Sequence, residues 1–113
     1  MTTAGDFQRD RCAIGIDVGG TKCAAGLVAL PEGRVLARLL QATRPERGGA
    51  AVLADVVGLA RSLQREAADR SVTPQAIGLA VAELVGIDGQ VLSEATIAWR
   101  GVAVGESMPA QVM

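Results

Sequence analysis

Six consecutive residues, Asp17-Val18-Gly19-Gly20-Thr21-Lys22, bring together a carboxylate, two residues without side chains, a hydroxyl and an ammonium. They interrupt an otherwise apolar stretch, IGIDVGGTKCAAGLVAL, from Ile14 to Leu30. Successive backbone N–H groups at a tight turn form a nest for an anion. Gly19 and Gly20 permit positive φ and let anionic oxygens approach with no Cβ in the way. Thr21 adds a hydroxyl donor and Lys22 adds charge. Asp17 is out of place beside a phosphate unless a cation lies between them. Mg²⁺ meets that need, because it takes few carboxylates, keeps several waters and bridges to phosphates. The pattern is neither GxxxxGK[ST] nor a GxGxxG that opens a helix. The competing reading is a plain hairpin turn in which Asp17 caps N–H groups. Thr21 and Lys22, set between two aliphatic strands, favour phosphate.

These residues need a sheet to hold them. Arg11 to Val18 reads as a strand with Ile14, Ile16 and Val18 on one face and Gly15 and Asp17 on the other. Cys23 to Leu30 reads as a second strand, Pro31-Glu32-Gly33 as a turn, and Arg34 to Ala42 as a third strand. The chain thus opens as a three-stranded antiparallel meander. Thr43 to Gly49 is a loop. From Ala50 to Asp69 the apolar period changes to threes and fours, through Val52, Val56, Leu59, Leu63 and Ala67, which predicts one long amphipathic helix. Gly58 interrupts it, as at a close approach to the sheet. Ser71 to Pro74 ends the helix.

Ala76 to Ala82 is a continuous apolar run, as in a strand buried on both faces. A helix connects it to the meander, so it is expected to run parallel to the first strand. Val85 to Ala95 reads as a hairpin around Asp88-Gly89, and Glu106 to Val112 as a short helix. The fold class is α/β, a mixed sheet with the long helix on one face. Residues 1–10 are expected to be a flexible N-terminus.

Composition narrows the chemistry. There is no histidine, which excludes His-based general bases, Ser-His-Asp triads and His-ligated zinc within these residues. A net charge of −1 without a basic block predicts no nucleic-acid and no membrane partner. One Trp, one Phe and no Tyr leave no stacking platform for single strands. No apolar run reaches the ~18 residues of a membrane span, and the polar opening MTTAGDFQRDR has no signal core, so a cytoplasmic location is expected. Cys12 and Cys23 are predicted to be small buried hydrophobes, with Asp17 opposite Cys23 and Cys12 beyond bridging range.

The stretch IGIDVGGTKCAAGLV resembles the first phosphate segment of the ROK sugar kinases and regulators, within the actin-like (ribonuclease-H-like) ATPase fold. The likeness continues through TPQAIGLAVAELVGIDGQVLSEATIAWRG, which is similar in order and spacing to the family's second landmark. That landmark reads Gly-Val-Gly-x-Pro-Gly, a Val-Asp turn, then Ala-Pro-Asn-Leu and Trp. The resemblance spans Ala13 to about Val104. It implies ATP and Mg²⁺ as cofactors, with Asp17 orienting Mg²⁺ through water and with Gly19, Gly20, Thr21 and Lys22 against the phosphates. It also implies that Glu83 and Thr96 face a sugar. Here the family's Pro-Gly is Ala82-Glu83, its turn Asp is Gly86, and its Asn is Thr96. Trp99 is expected to anchor packing more than to stack on a sugar.

The resemblance makes residues 11–113 the N-terminal half of a ROK-type domain, truncated before the family's catalytic Asp in an Asn-Asp-x-Asn-Ala segment. No catalytic base is expected before Met113. The expected function is the phosphate- and sugar-facing portion of an ATP-dependent, glucokinase-like sugar kinase, inactive alone. Its partners would be a small-molecule sugar and a nucleotide. The alternatives are a non-catalytic, self-associating binding module and a fragment of a ROK transcriptional regulator. Homo-oligomerisation through an exposed sheet edge or face is expected from the cut sheet.

Overall fold

The computed structural model describes residues 11–81, together with Glu83, Ile87, Asp88, Gln90, Val91, Ile97 and Trp99. Its elements are β1 (Arg11–Val18), β2 (Lys22–Ala29), β3 (Arg34–Ala42), α1 (Gly49–Asp69) and β4 (Thr73–Val81), with a short 3-10 turn at Pro45–Arg47. The sheet order is β3-β2-β1-β4. β1 and β3 are antiparallel to β2, and β4 is parallel to β1. The meander, the helix and the parallel return are those expected from the alternation and the change of period.

Strict alternation puts one face of the sheet in the core. Cys12, Ile14, Ile16 and Val18 of β1 are buried, as are Cys23, Ala25, Leu27 and Ala29 of β2. α1 covers them with Val52, Leu53, Val56, Leu59, Ala60, Leu63 and Ala67. Each fully buried Leu or Ile contributes roughly 1.5–3 kcal/mol of transfer free energy. Trp99 is fully buried in the same cluster, as expected for a packing anchor. Both cysteines are buried and free, and burial pushes the Cys12 thiol pKa up.

The ends of α1 follow from backbone chemistry. Ser71 takes the left-handed conformation, with φ 57°. Its N–H donates to Ala68 O, and Val72 N–H donates to Ala67 O, which satisfies two terminal carbonyls and turns the chain into β4. At the β2–β3 turn Gly33 has φ 79°, which its missing Cβ allows.

Four details differ from the sequence reading. Cys23 pairs with Val18, and Asp17 pairs with Ala24, one residue from the expected register. The reason is that β2 begins at Lys22, which shortens the turn. β4 starts three residues early and includes Pro74 beside Cys12. Proline is tolerated at a strand start, and the ladder skips a residue there. β4 is not buried on both faces: Ile77 is fully buried, while Gly78 and Ala80 are exposed. α1, with Val91, Ile97 and Trp99, packs on one face of the sheet, and no described element packs on the other. Finally, Gly58 lies on the exposed side of α1, and a Cβ there would meet nothing within 4 Å, so it marks no close approach.

Ile87 and Asp88 lie in a turn, and Gln90 N–H donates to Asp88 Oδ1 at 3.1 Å. The rest of the expected 85–95 hairpin, the 106–112 helix and residues 1–10 lie outside the described residues. No helix among the described residues is long and apolar enough to cross a membrane.

Candidate functional site

The Asp17–Lys22 segment sits where β1 ends and β2 begins. β1 and β4 run in parallel, with Val18 beside Val81 as the last matched pair. Gly19-Gly20 and Glu83 therefore leave the same end of the sheet, each within two residues of that pair. In sheets of this kind, ligands gather at the carboxyl ends of parallel strands.

The turn closes through Gly19 N–H, which donates to Lys22 O at 2.9 Å. A Cβ on Gly19 would stand 2.9 Å from that same oxygen, a distance backbone cannot yield cheaply. Gly19 is therefore required by close approach. The expected positive φ is not the reason: the left-handed glycines among the described residues are Gly33 and Gly48. Gly19→Ala is expected to cost about 1–3 kcal/mol of strain. Gly58→Ala, on an open helix face, should gain roughly 0.5–1 kcal/mol. Urea midpoints of the two variants measure both, and equal midpoints would refute the close-approach argument.

Two carbonyls of the turn are drawn into the protein by one residue. Thr43, 1% exposed, donates its hydroxyl to Gly19 O at 2.8 Å. Its backbone N–H donates to Thr21 O, also at 2.8 Å. Cys23 Sγ lies 3.4 Å from Thr43 Oγ1. The single hydroxyl proton is committed to Gly19 O, so the thiol is the donor in that contact. With these carbonyls engaged inward, the N–H groups of Gly20 and Thr21 have no acceptor among the described residues. Thr43 was placed in a loop by the sequence. The one signal that could have marked it is a β-branched hydroxyl residue directly after a strand.

Asp17 is exposed and projects to the face of the sheet opposite α1. Its ladder neighbours are Ala24 and Ala80, which leave its carboxylate unobstructed. The next row toward the middle of the sheet is Gly26, Gly15 and Gly78 in register. Together with Val35, Arg38, Leu40 and Leu79 they floor a trough of about 770 Å³. No ion pair or hydrogen bond engages the Asp17 carboxylate among the described residues. Thr21 and Lys22 are exposed beside it.

No group of three His, Cys, Asp or Glu side chains that could cage a metal occurs among the described residues. A lone accessible carboxylate next to free amides suits Mg²⁺, which arrives with its own waters and completes its shell on phosphate oxygens. Glu83 is partly buried and accepts from Ile97 N–H at 3.2 Å through Oε1. That bond ties the chain after β4 to a residue further along it. Thr96 lies outside the described residues.

No family model matches the chain, and no curated protein matches it. Solved structures do. A ROK family glucokinase from Streptomyces griseus, in complex with glucose and AMPPNP, superposes with a TM-score of 0.68 at 29% identity, over 84% of this chain and 28% of that one. The ROK hexokinase from Thermus thermophilus gives 0.68 at 25% identity, over 90% of this chain and 34% of that one. A ROK family transcriptional regulator, a homologue of the E. coli MLC protein, gives 0.71 at 17% identity, over 93% of this chain and 28% of that one. The chain spans about a third or less of each of these neighbours.

Proposed function

We propose that this chain, a ROK-type N-terminal domain of actin-like ATPase fold, forms the phosphate- and sugar-facing portion of an ATP-dependent sugar kinase. The observation that carries the proposal is the turn itself. Thr43 pulls two carbonyls inward, and among the described residues two adjacent amides have no acceptor and the Asp17 carboxylate beside them has no partner. A hairpin in which Asp17 capped its own turn would show the opposite arrangement.

Each residue then has a chemical task. The N–H groups of Gly20 and Thr21, with the Thr21 hydroxyl, bind phosphate oxygens that would otherwise be held by water. Lys22 adds positive charge at the mouth of the turn. Asp17 would hold Mg²⁺ through its waters. Bound there, Mg²⁺ would supply charge neutralisation for a polyphosphate chain. Glu83 and Thr96 are the sugar-facing candidates, and ATP is the proposed donor. Support for nucleotide and sugar as ligands comes from the glucokinase neighbour, which was solved with both.

Phosphoryl transfer needs groups on both sides of the phosphate. The proposed role is therefore one wall of a cleft, inactive alone. A second reading, a fragment of a ROK regulator, draws on the regulator's fold match.

Two measurements test the proposal. Titration of the ¹⁵N-labelled chain with Mg²⁺-pyrophosphate is expected to shift the Gly20 and Thr21 amide resonances saturably. Incubation with ATP, Mg²⁺ and glucose or an N-acetyl hexosamine is expected to give no sugar phosphate. Silent amides would overturn the phosphate reading, and robust sugar phosphorylation would overturn the inactivity.

A further inference from the structure

We infer that Thr43 is a positioning residue for phosphate binding at the Asp17–Lys22 turn, and that it is itself held by a strut running back to α1. This rests on the phosphate reading above and adds residues that no motif marks. The strut can be followed bond by bond. Asp55, on α1, pairs with Arg47 of the 3-10 turn. Arg47 Nη2 donates to Thr43 O at 2.8 Å, and Arg47 Nε donates to Arg44 O at 3.2 Å. Thr43 then donates to Gly19 O and Thr21 O, 24 and 22 residues earlier in the chain.

Every backbone and side-chain polar group of Thr43 is thereby used. Its carbonyl receives the guanidinium, its amide and hydroxyl hold the turn, and its hydroxyl oxygen also accepts from Cys23. Arg44, the next residue, has φ 49°, a left-handed conformation that a non-glycine residue adopts only when its surroundings impose it. Arg47, bonded to the carbonyls on both sides of this bend, imposes it. The consequence for function is direct. Gly20 N–H shares its peptide plane with Gly19 O, so the Thr43 hydroxyl fixes the direction of that amide, while Thr43 N–H fixes the Thr21–Lys22 plane where the turn enters β2. Without that hydroxyl, rotation of the Gly19–Gly20 peptide plane would swing oxygen toward the phosphate.

The test uses the full chain with Mg²⁺-pyrophosphate as probe, read by amide shifts and by hydrogen exchange. Thr43→Ser keeps the hydroxyl and is expected to bind like wild type. Thr43→Val keeps the shape but loses the donor, and should bind about tenfold more weakly. In the ligand-free protein, Thr43→Val should speed exchange at Gly19, whose N–H is bonded to Lys22 O across the turn, while α1 amides keep their protection. A purely structural role would instead speed exchange throughout. Asp55→Asn, at the far end of the strut and partly exposed, should weaken binding severalfold, and it decides the matter if Thr43→Val does not fold. Wild-type affinity in Thr43→Val, or in Asp55→Asn in that case, would overturn the inference while leaving the phosphate reading in place. A wild-type chain that shows no response to the probe would overturn both.

Discussion

Asp17→Ala is expected to abolish the Mg²⁺ dependence of pyrophosphate binding by this chain. In a full-length kinase containing the domain, it is expected to lower Mg-nucleotide turnover by roughly a thousandfold or more. The folded structure should survive. Asp17 is exposed, its ladder neighbours are Ala24 and Ala80, and it makes no ion pair among the described residues. Removing its carboxylate therefore breaks no packing and strands no buried partner. Isothermal titration with and without Mg²⁺ measures the first effect, and a coupled ADP-release assay the second. Asp17→Asn separates charge from shape: it should behave like the alanine variant if the negative charge holds the cation. Turnover equal to wild type in either variant would remove Asp17 from the mechanism.

The largest expected loss of stability lies one strand away. Leu27 is 0% exposed and pairs with Ile14 across β1–β2, on the face covered by α1. Leu27→Ala removes three buried carbons and leaves a void that the sheet cannot easily close, because Leu27 is pinned by ladders to β1 and β3. The expected cost is about 2–5 kcal/mol. That is a large fraction of the roughly 5–15 kcal/mol that holds an ordinary domain together. Leu40, 64% exposed on the other face, is the control, and Leu40→Ala should stay within about 0.5 kcal/mol. Trp99, the sole and buried tryptophan, reports unfolding of both variants in urea by fluorescence. Equal midpoints would show that the α1-facing side of the sheet is not the core.

Much of this architecture was legible because its signals are local. Alternation at Ile14, Ile16 and Val18 fixed a face of β1, and the Pro31-Glu32-Gly33 turn fixed the next reversal. The threes and fours from Val52 to Ala67 marked the helix, and a helix between strands implied the parallel return. The turn at Asp17–Lys22 was legible as a turn for the same reason, since its residues are contiguous. What escaped the sequence was non-local. Thr43 is buried only because it meets a turn more than twenty residues earlier, and no short-range pattern encodes that meeting. The register of β1 on β2 moved by one residue because turn length, not side-chain type, sets it. The apolar run in β4 predicted two covered faces, whereas the described residues cover one. At Gly19 the expected geometry was wrong: a carbonyl needs the space, not a left-handed φ.

Because β2 follows the turn directly, no helix begins at Gly20 or Thr21. Many phosphate seats borrow half a unit of positive charge from the aligned peptides of such a helix, a contribution fixed in the backbone. The seat proposed here offers, among the described residues, two amides and mobile monopoles, Lys22 and any cation that Asp17 would recruit. Small ions compete with exposed monopoles over about 10 Å at 0.1 M ionic strength. Retention of a polyanion at this hairpin should therefore fade steeply as background electrolyte rises, more so than at a helix-seated pocket of equal size.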